Sequence, residues 1–120
     1  MFSHARRLSW SGKILGYDIN IKAIGGELVD LGVPGGKELI ALVDAHFDGS
    51  QADQESARDA VLGGLGPESL FDAATVYGNF EMMNRVAEGT GIGIPPQEIE
   101  RWQWLVDALA LEDVMKSQQA

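Results

Sequence analysis

The chain has 120 residues, 45% of them hydrophobic and 22% charged, which is ordinary usage for a globular protein. This length predicts one domain with its own core over residues 1–120. Eighteen acidic residues against nine basic ones give a formal charge of −9, which argues against nucleic acid and anionic membranes as partners. Without a cysteine, disulfides, thiolate nucleophiles and Cys-ligated metals are excluded.

No apolar run in the sequence approaches the roughly 20 residues that a membrane-spanning helix needs. Residues 1–13 also lack the continuous apolar stretch of a signal peptide. We therefore expect a cytoplasmic location and no membrane partner.

The first periodic signal predicts a helix that stops at Gly32 and Pro34. Its apolar residues are spaced alternately by four and three, which keeps them on one helix face: Tyr17, Ile21, Ile24, Leu28 and Leu31. Gly25 and Gly26 lie within this pattern, and each weakens a helix by about 1 kcal/mol relative to alanine.

Two helices are predicted next, over residues 37–47 and from Ser50 to about Leu62. Ser50 lies three residues before Asp53, a spacing typical of a capping box with an acid in the first turn. Three glycines should end the second of these helices: Gly63, Gly64 and Gly66.

Pro67 is a favourable first residue for the next helix, predicted over residues 67–88. Apolar residues fall on two faces of this helix, so we expect a helix that is packed on both sides or shared between subunits of a homo-oligomer. A last helix is predicted over residues 97–116. No segment alternates with the period of a β-strand, and the expected fold is all-α, with about five helices.

Asp44, His46 and Asp48 have the spacing of the first ligands of a calcium loop, with Glu55 at its last position. Histidine is a poor ligand for calcium, and Gln51 replaces the usual apolar anchor, so a solvated acidic corner is the favoured interpretation. His46 lies on an apolar stripe, where a half-buried histidine with a hydrogen-bond partner is commoner than a metal ligand. We expect neither a metal nor another cofactor.

Residues 74–92 contain the pattern Phe-x-x-Met-Asn-Arg-x-Ala followed by Gly-Ile. This stretch resembles the C-terminal core helix of the carboxymuconolactone decarboxylase and alkylhydroperoxidase D-like family. Upstream, residues 16–20 with Ala23 and residues 31–33 look like the active-site helix of that family. The resemblance spans about residues 13–94 and implies an alkylhydroperoxidase D-like helical fold that assembles into a homo-oligomer.

In its redox branch the family carries Cys-x-x-Cys and a nearby histidine, at positions that correspond here to about Lys13, Gly16 and Asn20. None of these residues is a thiol, and a peroxide-reducing mechanism needs both a thiolate nucleophile and a resolving thiol. No catalytic residue of the family carries over to this chain.

A candidate pocket is predicted between the helix that contains Asp18 and the helix that contains Arg85. Its candidate residues are Tyr17, Asp18, Asn20, Glu27, Asn84 and Arg85. Asn84 and Arg85 match the family pattern, yet the favoured interpretation makes them structural. Arg85 would then have a buried stem and an acidic partner, and Asn84 would bond nearby backbone.

Three functional hypotheses follow. The first is a cysteine-less member of the family that binds a small organic molecule or performs acid–base chemistry on it, of decarboxylase or isomerase type. The second is a non-catalytic helical scaffold or partner subunit. The third is a redox protein of alkylhydroperoxidase type, which the lack of cysteine disfavours.

Overall fold

The computed structural model describes residues 2–111. Within this range every regular element is helical and no residue lies in a β-strand, which confirms the predicted all-α class. The elements in chain order are α1 (Phe2–Ile14), a 3₁₀ helix (Ile21–Ala23), α2 (Gly36–Asp48), α3 (Gln51–Thr90), α4 (Pro96–Arg101) and α5 (Gln103–Ala108). No helix among the described residues is both long enough and apolar enough to cross a membrane.

The described chain divides into two compact units. The central unit is Pro34–Ile92, and the terminal unit combines the described residues up to Val33 with those from Gly93 onward. Each unit has an apolar cluster of its own. The single domain expected over residues 1–120 stays a prediction.

In the core of the terminal unit, the 3₁₀ helix packs against α5. Buried Ile21 packs with Leu105 and Leu109, and further apolar cover comes from Ile19, Trp102, Ala108 and Leu111. The backbones also approach closely, since a Cβ at Gly25 would lie 2.8 Å from the carbonyl oxygen of Ala108. A larger residue at this glycine would push the two segments apart.

The helix predicted from Tyr17 to Leu31 is wrong, because only Ile21–Ala23 is helical there. Gly26 has a φ of 92° and ends the helical path immediately after the 3₁₀ turn. Of the predicted apolar face, Ile21 and Leu31 are buried, whereas Leu28 is fully exposed. The free-energy cost of placing two adjacent glycines in a helix therefore outweighs the burial that the periodic apolar spacing would allow.

Helix α1 is not among the predicted helices, because the first strong periodic signal of the sequence begins at Tyr17. Lys13 lies in its last turn, where a cation interacts favourably with the helix dipole. The chain leaves the helix at Gly16, which has a φ of 80°. Gly12 is buried against the side chain of Ile19, and a Cβ there would clash with it.

Helix α2 confirms the prediction to within one residue at each end. It follows Gly35, whose φ of 70° is in the left-handed region that favours glycine. A Cβ on Gly35 would overlap the side chain of Leu65, so glycine is needed here for space as well as for conformation. At the other end, the backbone N–H of Gly49 donates to the carbonyl of Ala45 at 3.0 Å.

Helix α3 begins with the predicted capping box. The backbone N–H of Asp53 donates to Ser50 Oγ at 3.2 Å, and the backbone N–H of Ser50 donates to Asp53 Oδ2 at 2.8 Å. The Ser50 hydroxyl donates to the same carboxylate oxygen at 2.6 Å. These hydrogen bonds hold the pKa of the Asp53 carboxyl below its ordinary value. The bond from the Ser50 hydroxyl has the larger effect, and the bond from the Ser50 backbone N–H adds to it.

Within α3 the backbone breaks at Gly66, which has a φ of 87° and a ψ of 171°. Pro67 follows and starts the helix again, as the sequence predicted. We call residues 51–65 the first segment of α3 and residues 67–90 the second segment. The second segment ends at Gly91 (φ 70°), where the N–H of Ile92 donates back to the carbonyl of Ala87 at 3.0 Å.

The core of the central unit contains residues from α2 and from both segments of α3. Leu42, Ala57 and Val61 are buried together, and apolar cover comes from Ala45, Leu65, Leu70 and Ala73. Since Leu70 and Ala73 follow the break while Ala57 and Val61 precede it, the break folds α3 back onto its own core. The central unit is thus built from three helical stretches.

The last predicted helix, over residues 97–116, is observed as two short helices, α4 and α5. They are separated at Trp102, whose φ of −113° and ψ of 24° are not helical. Its indole Nε1 donates to Glu98 at 3.0 Å. Residues 112–116 of the prediction lie outside the described residues.

We expect Asp53→Asn to remove a pH-dependent part of the stability of α3. Because the pKa of Asp53 is lowered in the folded state, its contribution is present above the ordinary aspartate pKa of about 3.9 and is lost as the pH falls through the folded value. Urea unfolding at several pH values should therefore show the wild type more stable than the variant near neutrality, with the difference shrinking in acid.

The matched control is Asp59→Asn, the same change further along the first segment of α3. It should produce a smaller difference from the wild type across the same range of pH. A difference between the wild type and Asp53→Asn that stays constant in acid would contradict the role given to the capping box.

Candidate functional site

The central unit contains a partly open cleft of about 380 Å³, which we call the α2–α3 pocket. Helix α2 and both segments of α3 form its wall, with the residues Leu42, His46, Gln54, Arg58, Leu62, Pro67, Leu70, Phe71, Ala74 and Tyr77. The volume is at the lower end of the range of about 300–1,000 Å³ typical of small-molecule sites.

Most of the wall is apolar. Leu42 belongs to the buried core and Leu70 packs against it, so these two residues join the pocket to the rigid part of the unit. Leu62 and Phe71 keep 42% and 72% of their surface exposed. Because covering apolar surface yields roughly 25 cal/mol per Å², a ligand that fits against these side chains would gain binding free energy.

The hydrogen bond between His46 and Tyr77 joins α2 to the second segment of α3. The Tyr77 hydroxyl lies 3.0 Å from His46 Nδ1, and the two ring centroids are 4.9 Å apart. Which atom donates depends on the imidazole tautomer. A histidine paired with a phenol in an apolar cleft can take up or release a proton next to a bound molecule.

The prediction for His46 is confirmed in one respect and wrong in another. The side chain has a hydrogen-bond partner, as expected for a structural histidine on an apolar stripe. It is exposed and not half-buried, because its stripe lines the open cleft.

Gln54 and Arg58 line the pocket from the first segment of α3. They are four residues apart, and Leu62 follows after four more, so all three lie along one helix face. Arg58 is exposed and takes part in none of the ion pairs found among the described residues. Its guanidinium carries a permanent charge and planar donors that match a carboxylate.

The residues of the predicted pocket lie in both units. Four of them, Tyr17, Asp18, Asn20 and Glu27, are in the terminal unit, and Asn84 and Arg85 are in the central unit. In the terminal unit, the Asn20 side chain accepts from the backbone N–H of Lys22 at 3.2 Å. Glu27 forms an exposed ion pair with Lys22 at 3.7 Å. None of the six residues lines the α2–α3 pocket.

The acidic partner expected for Arg85 is confirmed. Its guanidinium donates to Glu88 at 2.9 Å and to Glu81 at 3.2 Å. The expected burial is wrong, since 68% of the side chain is exposed. Asn84 bonds the Glu81 carboxylate at 3.4 Å and not the backbone. Exposed pairs of this kind contribute about 0–1 kcal/mol, so they suit a polar helix surface.

The positions that correspond to the family's redox site have local structural roles. Lys13 lies in the last turn of α1, Gly16 turns the chain, and Asn20 caps the 3₁₀ helix. The active-site helix implied by the resemblance is not formed at residues 16–20, where the chain is non-helical.

Asp44, His46 and Asp48 all belong to α2, so the calcium-loop conformation is not formed. Only Gly49 and Ser50 connect α2 to α3. No group of three or more histidine, aspartate or glutamate side chains among the described residues is arranged to hold a metal ion. Asp44, His46 and Asp48 are exposed, as expected for a solvated acidic corner.

Neither the known protein families, nor the curated proteins, nor the solved structures include a match to this chain.

The sequence places His46 on an apolar stripe and predicts apolar faces for α2 and α3, but it does not show that these faces meet. The spacing of Gln54, Arg58 and Leu62 is a signal for this site in the sequence, because it places two polar residues and then an apolar one on the same helix face. The sequence does not show which residues of α2 face Gln54, Arg58 and Leu62.

Proposed function

We propose that the chain binds a small, mainly apolar organic molecule in the α2–α3 pocket. The observation that carries the proposal is the cleft of about 380 Å³, whose wall is mainly apolar and includes a few polar side chains. This combination is the usual composition of a small-molecule site.

The wall of the pocket is held in place before any ligand arrives. Its three helical stretches share the core of Leu42, Ala57 and Val61, and the hydrogen bond between His46 and Tyr77 ties two of them together. A preformed site loses little conformational entropy on binding, which supports binding over a purely structural role for the cleft.

The pair of His46 and Tyr77 supports the acid–base form of the proposal. A histidine is the side chain best suited to exchange protons near neutral pH, and a tyrosine hydroxyl can orient it and donate to a bound oxygen. A lyase-like or isomerase-like reaction would need these groups beside the reacting atoms of the ligand.

Membership of the carboxymuconolactone decarboxylase and alkylhydroperoxidase D-like family is part of the same proposal. The pattern at residues 80–87 supports it, together with the all-α class. A redox function stays disfavoured, because the sequence contains no thiol. The cytoplasmic location stays a prediction.

We expect Ala74→Trp to abolish ligand binding by filling the pocket. Ala74 lines the cleft from the second segment of α3, and an indole there would occupy the space of a ligand. With decan-1-ol as a neutral probe, amide chemical shifts of the wild type should change mainly at the pocket residues, and those of the variant should not.

Ala60→Trp is the matched control, since Ala60 is an exposed residue of the first segment that does not line the pocket. It should bind decan-1-ol as the wild type does. Shift changes that are spread over the surface, or that survive in Ala74→Trp, would contradict the proposal.

A second candidate function is that of a homo-oligomeric helical scaffold. The observation in its favour is the α3 stripe, which we define as Val76, Met82, Met83 and Val86 on the second segment. These side chains are 48–59% exposed, and the spacing of Val76, Met83 and Val86 is that of a coiled-coil seam. A second copy of the chain would cover these side chains by packing the second segment of its own α3 against them.

We expect Val86→Asp to dissociate such an oligomer, because it places a charge in the apolar seam. Asn84→Asp adds the same charge two residues away, outside the stripe, and should leave the assembly intact. Light scattering at micromolar concentration measures both. A monomeric wild type would contradict the scaffold function, and equal behaviour of the two variants would remove the stripe from the interface.

A further inference from the structure

We infer that the ligand of the α2–α3 pocket is an apolar monoanion, with its carboxylate bound by the guanidinium of Arg58. This inference rests on the proposed function and specifies the chemical class of the molecule that the same pocket takes.

The charge of the pocket is opposite to that of the chain. Arg58 is the one lysine or arginine among the lining residues, and no aspartate or glutamate lines the cleft. The whole sequence, by contrast, carries a formal charge of −9. A cleft without carboxylates in so acidic a protein is a place where an anion meets the least repulsion.

The guanidinium of Arg58 is available to a ligand. The ion pairs among the described residues use Lys22, Arg85 and Arg101, and none uses Arg58. Glu55 lies one turn before it on α3, but its carboxylate accepts from the Gln51 amide at 3.1 Å. Binding a carboxylate at Arg58 therefore does not require an existing ion pair of the structure to break.

The polar and apolar parts of the wall are arranged in sequence along the first segment of α3. Gln54 and Arg58 offer side-chain donors, and Leu62 continues the same face with apolar surface. The second segment of α3 contributes Leu70 and Phe71 to the wall. An acid bound with its head at Arg58 can thus lay its hydrocarbon body against these leucines and the phenylalanine.

A single negative charge fits better than two. The guanidinium of an arginine donates two parallel hydrogen bonds to a carboxylate or a phosphate in the same bidentate geometry. The surrounding charge of −9 opposes a dianion more strongly than a monoanion, and the wall has only one permanent cation to offset it. Medium-chain or aromatic carboxylic acids are the ligands of this description.

The experiment compares decanoate with decan-1-ol, which has the same chain without the charge, on the wild type, Arg58→Gln and Arg85→Gln. Arg85 is an exposed arginine of the same helix outside the pocket, so its variant removes one positive charge, together with the local pairs to Glu81 and Glu88, without changing the pocket wall. Titration calorimetry or amide chemical shifts give the dissociation constants, with decanoate kept below its critical micelle concentration and decan-1-ol below its solubility limit.

We expect the wild type to bind decanoate more tightly than decan-1-ol by about tenfold, the order expected for one partly exposed charge-assisted hydrogen-bonded pair. Arg58→Gln should weaken decanoate to the level of the alcohol and leave the alcohol unchanged, which also shows that the variant is folded. Arg85→Gln should leave the preference for decanoate in place.

Equal binding of decanoate by the wild type and Arg58→Gln would overturn the inference while the proposed function stands. An equal loss in Arg85→Gln would also overturn it, since a general effect of charge would then explain the preference. Failure of both probes to bind the wild type would overturn the proposed function itself.

Discussion

The central unit depends on one backbone conformation, that of Gly66. A φ of 87° with a ψ of 171° lies in a region that is open to glycine and closed to almost every other residue. The break at Gly66 allows the second segment of α3 to pack on the core that the first segment shares with α2. Without it, Leu70, Ala74 and Tyr77 could not face Leu42 and His46, and the pocket would have no opposite wall.

Local signals predicted most element ends of this unit, although the first segment of α3 continues through Gly63 and Gly64, where the prediction ended it. The caps at Ser50 and Pro67 and the glycine at the break act within a few residues, so the sequence contains all that determines them. The prediction failed at residues 17–31, where apolar spacing suggests a helix but Gly25 and Gly26 make one unfavourable and α5 offers a different partner for Ile21. Apolar periodicity indicates which residues could share one face of a helix. The free-energy cost of glycines within that helix can still prevent it from forming.

The site was harder to predict than the elements. His46 and Tyr77 are separated by 31 positions, and their contact follows from how α2 and the second segment pack. The six predicted pocket residues depend in part on the family resemblance. The structure places them in two units and gives several of them local partners. Residues that bind through tertiary contacts have no fixed sequence spacing, which is why the pocket needed the structure.

The most direct test of this account is the stability to urea of Gly66→Ala compared with Gly64→Ala. A Cβ at either position would meet no atom within 4 Å, so the two changes differ only in backbone conformation. We expect Gly66→Ala to lose about 1–3 kcal/mol from strain and Gly64→Ala, inside regular helix, to gain up to about 1 kcal/mol. A Gly66→Ala variant as stable as Gly64→Ala would show that α3 does not reverse at this glycine and would contradict the pocket built on it.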